Sequence, residues 1–100
     1  MKKGIYRISA KAVQDLEDIW SYTFETWSKD QADRYYNLLV GEIEYVAKDF
    51  ESGKSMEHIK QGYRASKVKS HLIFYPKGED DATEIVRVLH QKMDIESRLK

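Results

Sequence analysis

The sequence has no cysteine, a single proline and no long apolar run. Without cysteine there are no disulfides, thiol nucleophiles or thiolate metal ligands, and a reducing cytoplasm is the expected compartment. No apolar segment approaches the ~20 residues that a membrane-spanning helix needs. The basic start at residues 1–3 is not followed by the apolar segment of a signal peptide. These absences predict a cytoplasmic protein without membrane contact.

Short motifs that bind nucleotides or metals are also missing. The sequence contains no P-loop, no GxGxxG and no HExxH, and no carboxylates are paired in a pocket-like setting. Its three histidines lack the clustered spacing of a zinc site. We therefore predict no metal and no cofactor, and catalysis has little support in the residues themselves.

The charges balance, with 17 basic and 17 acidic residues, which argues against a strongly basic nucleic-acid binder. We expect no direct sequence-specific DNA binding by this chain. The segment 58–77 is a local exception, because all its charged residues are basic: Lys60, Arg64, Lys67, Lys69 and Lys77. Such a run is usually a solvated strand face, and a role in binding a partner stays open.

The 100 residues, 41% of them hydrophobic, predict one globular domain. Residues 4–8 alternate and are rich in β-forming types, which predicts a short strand. Ser9 then suits a helix cap, and a helix is expected over 11–27. Its apolar positions recur every three or four residues: Val13, Leu16, Ile19, Trp20, Thr23 and Trp27.

A second helix is expected directly after the first. Ser28 and Gln31 have the spacing of a capping box, and the helical pattern continues to about Phe50. The connection between the helices is short, so they should form an antiparallel hairpin. The inner face of the second helix comprises Ala32, Tyr35 or Tyr36, Leu39, Ile43, Val46, Ala47 and Phe50.

The hydrophobic period changes to two in the second half of the chain. Residues 53–62 read as a connector, 77–81 as a turn between antiparallel strands, and 91–100 as a short helix or loose tail. The predicted strands are 63–68, 70–75 and 83–90. The fold class is therefore α+β in the order β-α-α-β-β-β. An antiparallel sheet carries the N-terminal helical hairpin on one face, and its other face meets solvent or a partner.

Several segments, in this order and spacing, resemble ParE toxins of the RelE/ParE superfamily. The likeness runs from Tyr6 to about Asp94. Its most specific part is Arg87-Val88-Leu89-His90 followed by Met93-Asp94. The other segments are Asp15-Leu16-Glu17-Asp18-Ile19-Trp20, Gly62-Tyr63-Arg64 and His71-Leu72-Ile73-Phe74-Tyr75.

The resemblance implies the toxin of a type II toxin–antitoxin pair with a RelE/ParE-like fold. Its partner would be a ParD-like antitoxin with a ribbon-helix-helix domain, and its target DNA gyrase, trapped as the cleaved complex with DNA. Target contact is expected from Arg64, Lys67, Lys69, His90, Gln91, Lys92, Met93 and Asp94. Antitoxin contact is expected on the helical hairpin from Trp20, Tyr22, Phe24, Trp27, Tyr35 and Tyr36.

Core packing is the ordinary role of such aromatic stripes on inner helical faces, and it is the default for Trp20, Trp27, Tyr35 and Tyr36. Tyr22 and Phe24 lie off the main stripe of the first helix, so their exposure would mark a partner groove. Arg87 alternates with Ile85 and Leu89, which indicates a half-buried position and a structural salt bridge.

Two alternatives remain open. The first is a ribosome-dependent mRNA endonuclease of the RelE type, in which Arg64, Arg87, His90 and Lys92 would supply the cations and the acid or base that RNA cleavage needs. No tyrosine follows Tyr75, so His90 is the remaining acid–base candidate, although a histidine bonded to backbone is the commoner case. The second alternative is a non-toxic binding module with the same fold.

Overall fold

The computed structural model describes residues 4–99. Within that range the chain forms six strands and three α-helices, with a 3-10 turn at Phe50–Ser52. The helices are α1 (Ala10–Thr26), α2 (Lys29–Lys48) and α3 (Ile95–Leu99). The strands are β1 (Tyr6–Ile8), β2 (Lys54–Ser55), β3 (Arg64–Val68), β4 (His71–Tyr75), β5 (Thr83–Ile85) and β6 (Arg87–His90).

The helical hairpin is confirmed, and both predicted caps are in place. The Ser9 side chain accepts a hydrogen bond from the backbone N–H of Ala12, and that of Ser28 accepts one from Gln31. Such caps satisfy backbone donors that the first turn of a helix leaves free. The predicted inner face of α1 is wrong at its two ends, because Val13 is 44% and Trp27 72% exposed. Val13 faces away from the buried Ala12 and Leu16, and Trp27 is the C-cap residue just past the end of α1.

The sheet is antiparallel in the order β2-β3-β4-β6, as the sequence predicts for its main strands. Three details differ. The predicted connector 53–62 contains β2, which pairs with β3. The predicted strand 83–90 is divided at Val86 into β5 and β6. The first strand does not join the antiparallel sheet, because β1 pairs with β5 in a separate two-stranded parallel sheet. A parallel pair needs a long connection, and here the whole helical hairpin and the other strands intervene.

The core has two parts, one on each face of the sheet. The larger cluster lies between the helices and the sheet and includes Leu16, Leu39, Ile43, Ile73 and Val88. The second lies on the opposite face around Ala65, Phe74, Leu89 and Leu99, where α3 and the segment after β2 pack. The expectation that this face would meet solvent or a partner is therefore wrong over the second cluster, which the chain covers itself.

The helices are longer than the strands on which they pack. With 20 residues, α2 runs about 30 Å, whereas β3 and β4 have five residues each and span about 17 Å. The hairpin therefore projects beyond one end of the sheet. The face of the hairpin that elsewhere packs on the sheet is uncovered there. In residues 4–99 no helix combines the length and apolar character needed to cross a membrane.

Candidate functional site

A groove of about 780 Å³ lies beneath the projecting part of the helical hairpin. Its walls come from the second half of α1, the first half of α2, the turn between β3 and β4, and the end of β6. The residues that line it are Asp18, Ile19, Tyr22, Thr23, Trp27, Gln31, Arg34, Tyr35, Leu38, Lys69, Ser70, His71, His90 and Met93. The groove is thus the place where the helix layer continues and the sheet has ended.

Large apolar side chains lie open to solvent in this groove. Tyr22 and Trp27 are 70% and 72% exposed, and Leu38 and Met93 are 49% and 40% exposed. They come from three different parts of the chain but share one concave surface. Monomeric proteins seldom leave such a set uncovered, and apolar patches of this kind mark interaction sites. Aromatic side chains of this type are also common anchors of protein interfaces.

The inner end of the groove contains a hydrogen-bonded pair, Tyr35 and His71. The Tyr35 hydroxyl donates to the carbonyl oxygen of Val68 at 3.0 Å, and the same hydroxyl forms a hydrogen bond with Nδ1 of His71 at 2.6 Å. Burial raises the pKa of Tyr35. Burial, and secondarily the nearby His90, lower the pKa of His71 to about 4. His71 is therefore uncharged at neutral pH.

His71 and His90 lie side by side on the neighbouring strands β4 and β6. They are register partners at the end of β4 and β6, and their rings pack edge to face with centroids 5.2 Å apart. The backbone N–H of Lys92 donates to Nδ1 of His90 at 3.1 Å. Nδ1 of His90 is therefore an acceptor in this hydrogen bond. Among residues 4–99, no group of three or more His, Asp or Glu side chains is arranged to hold a metal ion.

Charged residues stand at the edges of the groove. Asp18 lies on α1, Arg34 on α2, and Lys69 in the turn between β3 and β4. All three are exposed. Lys69 has φ of +52°, a left-handed conformation that costs an L-residue energy. Arg34, Asp18 and Leu38 had no distinguishing signal in the sequence, because the helical pattern alone does not show where the sheet ends.

The residues expected to contact partners divide between this groove and the surrounding surface. From the proposed target set, Lys69, His90 and Met93 line the groove, and from the antitoxin set, Tyr22, Trp27 and Tyr35 do. The other members lie outside it: Arg64, Lys67, Gln91, Lys92, Asp94, Trp20, Phe24 and Tyr36. The structure thus brings half of the antitoxin set together with part of the target set.

Three of the outlying residues, Arg64, Trp20 and Phe24, form contacts within the fold. Arg64 donates to the carbonyl oxygen of Gly53 at 2.7 Å. On the far side of the hairpin, the Trp20 indole N–H donates to Asp33 at 3.0 Å, and its ring stacks on Phe24 with a centroid distance of 5.3 Å. Trp20 thus contributes to packing of the hairpin.

The four residues of the RelE-type alternative divide between the two ends of β4. His90 and Lys92 lie together beside His71, whereas Arg64 pairs with Tyr75 and Arg87 with Phe74 at the other end. Of Arg64, Arg87, His90 and Lys92, only His90 lines the groove. Arg87 instead forms a salt bridge with Asp15, with side chains 16% and 12% exposed. The predicted half-buried salt bridge of Arg87 is therefore confirmed.

Comparison with known proteins points to one family. Residues 6–95 match the family model described as ParE toxin of type II toxin-antitoxin system, parDE. Toxin ParE1 of Mycobacterium tuberculosis is 36% identical over 94 residues, and Toxin ParE1 of Caulobacter vibrioides is 39% identical over 94 residues. In both cases the match covers 94% of this chain and 96% of the relative.

A solved structure described as "Chromosomal ParDE TA system from P. aeruginosa" has a chain with the same fold. The TM-score is 0.78 at 13% identity, and the match covers 90% of this chain and 98% of that chain. The family match, the two relatives and the common fold agree with the segments that resemble ParE toxins. The chain belongs to the ParE toxin family of type II toxin–antitoxin systems.

Proposed function

We propose that this ParE toxin inhibits DNA gyrase by binding it and trapping the cleaved gyrase–DNA complex. We further propose that a ParD-like antitoxin neutralises it. Trapping needs no chemistry by the toxin, only tighter binding to the cleaved state than to the resealed one. The observation that carries the proposal is the open apolar groove, whose exposed aromatic and aliphatic side chains suit a binding partner. The four residues of the enzymatic alternative are divided between the two ends of β4.

The antitoxin segment is proposed to occupy the groove. Its exposed aromatic wall of Tyr22 and Trp27, with Leu38 and Met93 beside it, suits the apolar face of an amphipathic helix. Such a helix would continue the layer that the sheet begins, packing beneath α1 and α2. Trp20 and Phe24, on the far side of the hairpin, are the weaker candidates for this contact.

The target surface is proposed to lie around the same end of the sheet. Lys67, Gln91 and Lys92 are exposed there, next to the groove-lining Lys69 and His90. Because the groove and this surface share residues, an antitoxin in the groove would cover part of what the target needs. Neutralisation would then follow from steric exclusion and would require no change of fold.

The proposal is tested with purified toxin, gyrase and supercoiled plasmid DNA. We expect cleaved plasmid to accumulate once the trapped complexes are denatured, and the antitoxin to abolish the effect. A parallel reaction contains translating ribosomes and mRNA. Ribosome-dependent cuts in the mRNA with normal supercoiling would contradict gyrase inhibition and favour the RelE-type activity. Normal bacterial growth at full expression of the toxin alone would favour a non-toxic binding module.

A further inference from the structure

The backbone of Lys69 is in a conformation that its residue type disfavours. Lys69 and Ser70 form the two-residue loop that joins β3 to β4, and φ of Lys69 is +52°. The first position of such a loop is usually glycine, or asparagine, because both accept positive φ without a clash. Only one other non-glycine residue in the part of the chain described, Asp81, has positive φ. The lysine is thus present at this position despite the cost of its positive φ.

The Lys69 side chain is placed to meet a ligand. It lines the groove together with Arg34, and both residues are exposed. Within residues 4–99 neither of them forms an ion pair. Two cations therefore line one largely apolar groove, in which the third charged lining residue is Asp18 on α1. A segment bound in the groove would exclude solvent from the two cations and so strengthen a charge contact with them. Arginine in addition offers two parallel donors that match a carboxylate.

We propose that Lys69 and Arg34 form a subsite for a carboxylate, an Asp or Glu side chain on the antitoxin segment that occupies the groove. This inference rests on the proposed function, since it names the chemistry of the partner at the same groove. The carboxylate fixes the register of the bound segment, while Tyr22 and Trp27 supply the apolar contact. Strained backbone conformations lower stability and occur mainly at functional sites, where the strained residue is needed for binding.

The decisive variant is Lys69→Gly, because it should weaken antitoxin binding without lowering the melting temperature. Removing the positive-φ side chain relieves the backbone, so the melting temperature should stay unchanged or rise by a few degrees. Loss of the charged contact should weaken the toxin–antitoxin complex about tenfold, and the dependence of its Kd on salt should become shallower. A purely structural role for Lys69 would not separate the two readouts in this way.

Three further variants complete the test. Asp81→Gly relieves the other positive φ, outside the groove, and should raise stability without changing Kd. Lys11→Gln removes a positive charge away from the groove and should also leave Kd unchanged. Arg34→Gln, on an exposed helix face, should weaken the complex like Lys69→Gly and leave the melting temperature unchanged.

The outcomes separate this inference from the function on which it rests. If Lys69→Gly and Arg34→Gln leave the antitoxin Kd unchanged while Trp27→Ala weakens it, the groove binds antitoxin and the carboxylate subsite is wrong. If Lys69→Gly reduces gyrase inhibition but not antitoxin affinity, the cation serves the target, and the inference is likewise overturned. If Lys69→Gly, Arg34→Gln and Trp27→Ala all leave the antitoxin Kd unchanged, the proposed binding of the antitoxin in the groove is itself wrong.

Discussion

The Asp15 carboxylate accepts two hydrogen bonds from the Arg87 guanidinium, at 2.8 and 2.9 Å, and one from the backbone N–H of Val88 at 2.9 Å. This contact joins α1 to β6, an edge strand of the four-stranded sheet. The carboxylate thereby satisfies an edge N–H that would otherwise need another strand. The hydrogen bond to Asp15 raises the pKa of Arg87, so the guanidinium keeps its positive charge.

We predict that Asp15→Ala lowers the free energy of unfolding by about 3 kcal/mol, because it leaves the largely buried Arg87 charge without its partner. Chemical denaturation followed by circular dichroism measures the change. The exposed pair of Lys29 and Asp33 serves as control, and Lys29→Gln should alter stability little. A double replacement, Asp15→Leu with Arg87→Met, should lose less than Asp15→Ala. An equal loss would show that the charge left behind is unimportant.

Trp27→Ala should separate stability from binding. The side chain is 72% exposed, so its removal should change the free energy of unfolding by less than about 0.5 kcal/mol. The same variant should weaken antitoxin binding by about 2 kcal/mol, roughly thirtyfold, as expected for an aromatic interface anchor. Calorimetric titration gives the Kd. Tyr45→Ala, which removes an aromatic side chain that is 53% exposed but outside the groove, should leave the Kd unchanged.

His71 makes stability depend on pH in a defined window. Its pKa falls from 6.5 in the unfolded chain to about 4 in the fold, so between these values the unfolded state binds more protons. Stability contributed by neutral His71 is complete above pH 6.5 and is lost as the pH falls towards 4. The total is on the order of 2 kcal/mol, allowing for partial exposure.

The variant His71→Asn tests this assignment. Asparagine can still form a hydrogen bond with the Tyr35 hydroxyl but does not titrate, so the loss of stability between pH 7 and pH 5 should be smaller than in the unaltered protein. The neighbouring His90 and Asp15 act on the His71 charge in opposite directions and are unchanged in the variant. Parallel pH profiles for the two proteins would count against a depressed His71 pKa.

Two glycines should respond to alanine in opposite ways. A Cβ on Gly53 would overlap the Tyr75 hydroxyl and lie 3.0 Å from the carbonyl oxygen of Ala65. Tyr75 is fully buried, so Gly53→Ala should cost about 1–3 kcal/mol through overpacking. Gly41 lies within α2 with nothing within 4 Å of its Cβ position. Gly41→Ala should therefore stabilise the protein by about 0.5–1 kcal/mol. Thermal unfolding of both variants measures the contrast.

Local features of the fold could be predicted from the sequence because their causes are local. The caps at Ser9 and Ser28 and the apolar periods of α1 and α2 depend on residues within a few positions of each other. The half-buried salt bridge of Arg87 followed from its alternation with apolar neighbours. Its partner Asp15, 72 positions away, could not be inferred in that way.

The groove could not be predicted from the sequence, and the reason is geometric. Trp27 continues the apolar stripe of α1, and the pattern therefore placed it in the core, but burial depends on where the sheet ends. The pairing of β1 with β5 and the meeting of His71 with His90 depend likewise on the register of distant strands. In the sequence, Lys69 was distinguished only as a member of a basic run. Its positive φ, which depends on the turn between β3 and β4, made it a candidate for ligand contact.

The exposure of Trp27 provides the protein with an optical signal. The chain has two tryptophans, and the other one, Trp20, is held by Asp33 and Phe24 on the far side of the hairpin. An indole that leaves water emits at shorter wavelength, so a partner that enters the groove should shift the emission of Trp27 and leave that of Trp20 nearly constant. The toxin can thus report occupancy of its own groove without any attached dye, in real time and in solution.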